Sequence, residues 1–472
     1  MFHKVLVANR GEIAVRIIRA LRELNITSVA VYSEADRNAL HTELADEAIC
    51  IGPAKSLDSY ANPVAVLSAA IVTGADAIHP GYGFLSERSD FASMCEELGI
   101  KFIGPKSSII HNMGNKQNAR DTMKAAGIPI TPGSEGLVSG LEEAEELAAT
   151  IGYPLMIKAS DGGGGKGMRR VESPDMLVPM FKQAQQETQS VYGNQDLYME
   201  RIIYPAKHIE VQLLGDEHGH VVHLGERDCS VQRNNQKVIE IAPAQSLPDD
   251  VREALCSTAV KAAAAIGYTN AGTIEFLVDD NYNYYFMEMN TRLQVEHPIT
   301  EMITGIDIVK EQIRIAMGQE LAFTQADIEF SGVAIECRLN AEDPRNNFRP
   351  SSGFINRLIL PSGGMGLRTE SAIYPQYSLP PFYDSMIAKI IVHRPTREKA
   401  FTLLNRALVE VVVEGLETNV ELLEELAFHT DVHQDNTHTK WLEEVFMPEW
   451  LETLAAEKEG NETKNQEVTE EG

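Results

Sequence analysis

Short apolar runs alternate with amphipathic stretches through the first hundred residues, and no other feature of the chain limits its fold so tightly. KVLVA (4–8) reads as a buried strand, GEIAVRIIRALREL (11–24) as a helix and SVAVYSE (28–34) as the next strand. ADAIHPG (75–81) and KFIGP (101–105) read as later strands of the same sheet. Strands alternating with helices predict an α/β domain with a doubly wound parallel sheet. Ligands of such sheets sit at the carboxyl ends of the strands. Asn9-Arg10-Gly11-Glu12 and His79-Pro80-Gly81-Tyr82-Gly83 both lie at such ends.

With 472 residues the chain exceeds one ordinary hydrophobic core, so several domains are expected. The first spans 1–115. A second, 116–330, holds a glycine-rich loop, strand-like segments at 197–203, 207–214, 221–226, 272–279 and 284–289, and helical stretches at 174–190 and 248–266. It reads as an α+β unit with antiparallel sheets. A third, 331–447, reads as a smaller α+β domain with helices near 396–412 and 417–428. The remainder, 448–472, turns polar and acidic from Leu454 and reads as a disordered tail.

The chain carries 41 Lys+Arg against 69 Asp+Glu, a formal charge of −28. So acidic a surface repels nucleic acid and anionic lipid, and neither is expected as a partner. An anionic substrate would need positive charge gathered in one cleft. The five cysteines are widely spaced without a C-x-x-C pair, which suits free thiols in a reducing cytoplasm. No run of about 18 apolar residues occurs, so no membrane span is expected.

YPLMIKASDGGGGKGMRRV places a strand before Gly162-Gly163-Gly164-Gly165-Lys166-Gly167. Consecutive glycines let backbone N–H groups approach phosphate oxygens without a side-chain clash. The loop is not a Walker A loop, because Gly167 stands where the Ser or Thr would follow the lysine. A plain surface loop is the competing reading. Lys158 interrupts the apolar strand PLMIKA, where it suits phosphate neutralisation or a snorkelling strand lysine.

The densest chemistry lies in FMEMNTRLQVEHPITE, 286–301. Period 2 on a strand places Glu288, Asn290 and Arg292 on one face. Glu288 and Asn290 offer hard oxygen donors suited to Mg²⁺ or Mn²⁺ carried by a nucleotide, and Glu275 on the preceding strand of a hairpin would complete the set. Arg292 offers a planar fork for a small oxyanion, and Glu296 beside a cation suits a general base. A solvated polar strand edge is the bland alternative. Lys237 and Arg338 are two further cations, the latter flanked by acids; a lone arginine so placed is commonly a structural ion pair.

At this point the chain resembles the biotin carboxylase family of the ATP-grasp superfamily over about residues 1–447. The resemblance rests on VANRGEIAVRIIRA, HPGYGFLSE, KASDGGGGKGM, ERDCSVQ, MEMNTRLQVEHPITE, ECRLNAEDP and PPFYDSMIAK, in that order. It implies an N-terminal biotin carboxylase (Rossmann-like, pre-ATP-grasp) domain, an ATP-grasp domain with a lid at about 131–203, and a C-terminal biotin carboxylase domain. By the same resemblance Lys116, Lys158, Gly164, Gly165, Lys166, Glu200, His208, Gln232 and Asn235 fall at nucleotide-binding positions. Glu275, Glu288 and Asn290 fall at those of metal ligands, Glu275 and Glu288 also serving the nucleotide. Lys237, Arg292, Gln294, Val295 and Glu296 match the bicarbonate pocket, and Tyr82, Gly83 and Arg338 the biotin pocket.

The implied reaction uses ATP with two Mg²⁺ or Mn²⁺ ions. Glu296 would deprotonate bicarbonate, which attacks the γ-phosphate to give carboxyphosphate. This breaks down to CO₂ and phosphate, the phosphate takes the biotin N1 proton, and Arg338 stabilises the biotin enolate as it attacks CO₂. Lys237, Arg292, Glu296 and Arg338 are the implied catalytic residues. The labile carboxyphosphate calls for a closed, dry site under the lid. No A-M-K-M hairpin occurs, so biotin is expected on a separate carrier protein, with separate carboxyltransferase subunits; the family likeness implies a homodimer. The family reads QRRHQK and then two glutamates where this chain reads Gln232-Arg233-Asn234-Asn235-Gln236-Lys237 and Glu240-Ile241. Those departures predict altered nucleotide affinity and active-site electrostatics.

Overall fold

The computed structural model describes residues 2–159, 168–192 and 194–456. The predicted roles of Gly164, Gly165 and Lys166 fall outside the described residues, as does most of the acidic tail. Five strands, β1 (Lys4–Val7), β2 (Thr27–Ser33), β3 (Glu47–Gly52), β4 (Ala77–His79) and β5 (Lys101–Phe102), form an all-parallel sheet in the order β3-β2-β1-β4-β5. The sequence reading lacks β3. That strand is the sheet's edge, and Glu47, Ala48 and Cys50 face solvent, so it has no apolar run to betray it.

From β1 the chain winds outward through β2 and β3, then returns to the other side of β1 as β4. The loops after β1 and β4 therefore meet where the strand order reverses, the position at which open α/β sheets leave a crevice. Asn9 ties the two loops together, its Nδ2 donating to the carbonyls of Pro80 and Tyr82 at 2.7 Å each. The helix Gly11–Glu23 buries Ile13, Ile17, Ile18 and Leu21 in a core shared with Leu214, Leu224, Ile308 and Ile313 of the following domain.

Strands β6 (Leu155–Ala159), β7 (Met168–Val171) and β8 (Leu197–Arg201) form a small antiparallel sheet in the order β7-β6-β8. With helices Leu141–Ile151 and Pro174–Tyr192 it has its own core around Leu155, Ile157, Phe181 and Met199. The sheet thus coincides with the segment expected to act as a lid.

Eight further strands are β9 (Ala206–Gly215), β10 (Val221–Arg233), β11 (Gln236–Ala242), β12 (Asn270–Asp279), β13 (Tyr284–Asn290), β14 (Val333–Asn340), Leu367–Ser371 and Met386–Arg394. They make one eight-stranded antiparallel sheet in which β11 pairs with β14, Ile239 opposite Cys337. The sheet therefore runs straight across the expected boundary at 330/331. β10 extends seven residues past the predicted end at 226, because Arg227 and Asp228 are buried in paired form and hide the strand pattern.

At the β10–β11 turn, Asn234 and Asn235 have φ of +48° and +63° between paired Arg233 and Gln236. Positive φ at both central residues defines a type I′ turn, where Asn is among the favoured residues. Ile241, expected to weaken the active-site charge, instead lies in the apolar cluster with Ile335 and Ile390. Helix continues to Ala456, and Leu454 packs against that same cluster, so residues 448–456, expected in a disordered tail, are helical.

Candidate active site

The crevice opens into a cleft of about 1850 Å³. It is lined by the loops after β1 and β4, the small β6–β8 lobe, and one face of the large sheet. The described residues that the family resemblance placed at nucleotide, metal, bicarbonate or biotin positions all line it: Tyr82, Gly83, Lys116, Lys158, Glu200, His208, Gln232, Asn235, Lys237, Glu275, Glu288, Asn290, Arg292, Gln294, Val295, Glu296 and Arg338.

The β12–β13 hairpin sets the acidic end. Its register places Glu275 opposite Glu288, and Asn290 Nδ2 donates to Glu275 Oε1 at 2.8 Å. Burial and then the Glu275 charge raise the Glu288 carboxyl above its usual range, with Lys116 opposing. Two carboxylates side by side on neighbouring strands, with an amide beside them, fit a hard divalent cation, which would relieve their repulsion. His208 Nε2 lies 3.0 Å from Glu275 Oε2.

Arg292 departs from the expected strand face. β13 ends at Asn290, and the chain turns so that Arg292 folds back on its neighbours. Its Nη2 donates to Asn290 Oδ1 at 3.0 Å, Nη1 to Gln294 Oε1 at 2.8 Å and Nε to Glu87 Oε2 at 2.9 Å. Glu87 comes from the N-terminal domain, and nothing in its own sequence neighbourhood announces that contact.

Glu296 sits at the centre, immediately before the helix His297–Thr304. Lys237 Nζ donates to its Oε1 at 2.5 Å and Arg338 Nη2 to its Oε2 at 3.0 Å. Lys237 also reaches Glu210 Oε2 at 2.6 Å and Glu275 Oε1 at 3.1 Å. Burial and the neighbouring Glu210 push the Glu296 carboxyl up, but Lys237, Arg338 and Arg227 outweigh them and hold it below its usual range. It is therefore ionised at neutral pH. Beneath it lies the fully buried Arg227, absent from the sequence reading although it falls inside ERDCSVQ. Arg227 donates to Glu210 at 2.6 Å, Gln212 at 2.8 Å, Thr300 at 2.9 Å and Thr273 at 3.2 Å. Its sequence neighbours Glu226 and Asp228 are themselves charged, so no local pattern set Arg227 apart.

The other end of the cleft is aromatic. The Tyr82 hydroxyl donates to Glu12, and Tyr60 stacks on Phe84 at 5.2 Å. Tyr383 carries the Arg10 guanidinium at 4.0 Å above its ring. On the small lobe, Lys158 pairs with Glu200 and stands 5.8 Å from the Tyr198 ring centre. The cleft thus joins a cation-and-carboxylate end to a flat aromatic end, with Glu296 and Arg338 between them.

Comparison with known proteins gives this geometry a family. Residues 1–110 match the biotin carboxylase N-terminal domain, 115–324 the ATP-binding domain of the carbamoyl-phosphate synthase L chain, and 336–444 the biotin carboxylase C-terminal domain. The protein named biotin carboxylase 1 of Bacillus subtilis is 54% identical, covering 94% of this chain and 98% of its own. The chain belongs to the biotin carboxylase family. A pyruvate carboxylase subunit of Methanothermobacter thermautotrophicus is 50% identical, over 94% of this chain and 90% of its own. The biotin carboxylase domain dimer of the Hydrogenobacter thermophilus 2-oxoglutarate carboxylase, solved with MgADP, ADP and bicarbonate, superposes with a TM-score of 0.86. It is 50% identical over 94% of this chain and 98% of that one. As a biotin carboxylase family member the chain is a carboxylating ligase with an ATP-grasp domain.

Asn235 lines the cleft from the turn. Asn235→His restores a group able to carry charge toward a phosphate. It is expected to lower the KM for ATP about tenfold, the worth of one hydrogen bond to a charged group at ~1.5 kcal/mol. Steady-state ADP release checks this; an unchanged KM would show that position 235 has no part in nucleotide affinity.

Proposed function

We propose that the chain carboxylates N1 of biotin presented on a separate carrier protein, using ATP and bicarbonate, as the first half-reaction of an acetyl-CoA carboxylase. The observation that carries this reading is Glu296, an ionised buried carboxylate held between Lys237 and Arg338 where the two ends of the cleft meet. A carboxylate at that place serves as base for bicarbonate, while Lys237, Arg292 and Gln294 provide donors for its oxygens and Val295 shares the same turn. Glu275, Glu288 and Asn290 would hold the divalent cations that accompany the nucleotide; such cations screen phosphate charge. Lys116, Lys158, Glu200, His208 and Gln232 surround the space left for the nucleotide. Tyr82, Gly83 and Arg338 face the biotin end. The β6–β8 lobe, with its independent core, would close over the nucleotide and exclude water. A homodimer, carboxyltransferase partners and a cytoplasmic setting complete the reading.

The decisive test follows ADP release with Mg-ATP and bicarbonate, with and without free biotin. Biotin should stimulate turnover, and Arg338→Ala should remove about 100-fold of that stimulation, the usual effect of deleting one donor to a developing oxyanion. Turnover that ignores biotin would point to another ATP-grasp activity. The final acceptor is decided by reconstitution with acetyl-CoA carboxylase or pyruvate carboxylase partner subunits; productive coupling to the latter alone would overturn the acetyl-CoA assignment.

A further inference from the structure

The large sheet carries an acid pair that the proposed chemistry does not use. β11 and β14 run antiparallel with Glu240 directly opposite Glu336. Their neighbours Ile239, Ile241, Ile335 and Cys337 point into the apolar core, so strand alternation turns both carboxyls to the cleft face. Both are fully buried. Glu240 Oε1 accepts from Arg338 Nε at 2.6 Å, and Arg338 Nη2 lies 2.5 Å from the same oxygen. Glu240 Oε2 and both oxygens of Glu336 are buried without a hydrogen-bond partner among the described residues.

The cations nearby are already engaged. Arg338 divides between Glu240 and Glu296. Lys389, opposite Arg338 on the next strand, reaches the Val295 carbonyl at 2.7 Å and Glu12 at 3.1 Å. Lys237 serves Glu210, Glu275 and Glu296. Cys229 and Cys337 add no positive charge, and Tyr82 is spoken for by Glu12. Among the described residues no ion pair reaches Glu336.

We propose that Glu240 and Glu336 share one proton and that this pair positions Arg338 for the biotin. The assignment of Arg338 to biotin rests on the function proposed above; the shared proton does not. A buried carboxylate without a partner takes up a proton rather than stay charged. Directly opposed strand residues stand about 5 Å apart at Cβ, which lets a protonated Glu336 donate to the free oxygen of Glu240. That one proton satisfies the orphaned Glu240 oxygen and leaves the other Glu240 oxygen anionic toward Arg338. Burial accordingly raises the Glu336 carboxyl well above its usual range against Lys389 and Arg338, and it raises Glu240 to about 7 against Arg338. Held along its Nε edge by Glu240, the guanidinium keeps a fixed plane, and its remaining N–H groups are free for Glu296 and for the substrate. Glu240 and Glu336 are positioning residues, acting through Arg338.

The test compares wild type, Glu336→Gln and Glu240→Gln in the full chain, after melting curves show all three folded. Infrared difference spectra at pH 9, above the value of about 7 for Glu240, should contain a neutral carboxylic acid band in wild type. Glu336→Gln should lose it, because Glu240 is ionised at that pH. Glu240→Gln should keep it at a shifted frequency. In kinetics, Glu240→Gln should raise the KM for biotin about tenfold without changing that for ATP, the effect of losing a charged acceptor that holds a donor. Glu336→Gln should move the acid limb of the biotin-dependent pH profile to higher pH, since the amide is a weaker donor than the carboxylic acid to the Glu240 carboxylate. Infrared bands identical in wild type and Glu336→Gln would overturn the shared proton. An unmoved acid limb with an unchanged KM for biotin would overturn the positioning role. If wild type showed no biotin stimulation, the proposed function and the Arg338 role would fall together, and the infrared bands would still decide the shared proton.

Discussion

Glu296→Gln is expected to reduce bicarbonate-dependent ATP cleavage by on the order of 10³-fold, within the range that a positioned general base supplies. The substitution keeps the side chain's shape and removes only its charge and basicity. Lys237 still has Glu210 and Glu275, and Arg338 still has Glu240, so neither cation is left unpaired in the interior. Nucleotide binding should stay close to wild type, because the residues facing that end of the cleft lie on other strands. The two effects separate cleanly when ADP release is measured beside calorimetric titration of ATP. Cleavage within tenfold of wild type would remove Glu296 from the chemistry. The carboxyl is held below its usual range by Lys237, Arg338 and Arg227 against burial, so it is ionised throughout the neutral range. Its contribution as a base is present above that lowered pKa and disappears as pH falls through it. Activity lost near pH 7 must therefore come from a different group, and Glu240, raised to about 7 by burial, is one that titrates there.

Arg227→Met carries the largest expected loss of stability. The guanidinium is fully buried and donates to four side chains, and Glu210 beside it is equally buried. Removing one partner of such a pair leaves the other charge short of compensation in a low-dielectric interior, which costs about 3–5 kcal/mol. The first unfolding midpoint should fall by on the order of 10 °C by calorimetry. The surface pair Arg345–Glu421, with side chains 53% and 44% exposed, is the control: Arg345→Met should shift the midpoint hardly at all. Burial pushes the Glu210 carboxyl up, but Arg227 and Lys237 bring it down to about 2 from its ordinary 4.5. A lowered carboxyl contributes stability that is complete above the ordinary value and is lost as pH falls toward 2. In Arg227→Met the Glu210 carboxyl rises, so that contribution shrinks and its loss is complete at a higher pH. Equal midpoints for the two variants would show that Arg227 is dispensable to the fold.

Much of the site could be read from residue types and spacing. Glu275, Glu288 and Asn290 were legible because a two-residue period on adjacent strands of a hairpin places oxygen donors side by side, and the β12–β13 register does so. Arg292 broke that period, since the strand stops at Asn290 and the turn returns its guanidinium to the same amide. Glu87 was illegible, because its partner lies 205 residues away across a domain boundary. Position 241 misled for a simpler reason: a departure from the family pattern next to the site faced the core instead of the cleft.

By itself the sequence determined the periodicities and the family. Alternating apolar strands and amphipathic helices are local patterns, so they specified the parallel N-terminal sheet, and the ordered motifs specified the chemistry expected at 275–296 and 338. Tertiary structure alone decided the partnerships. It joined β11 to β14 across the expected domain boundary, set Glu240 against Glu336, and placed Arg227 under Glu210. Those contacts depend on strand register between distant segments, and register follows from which face each strand buries in the assembled core. Local residue patterns carry the face; only the assembled sheet carries the partner.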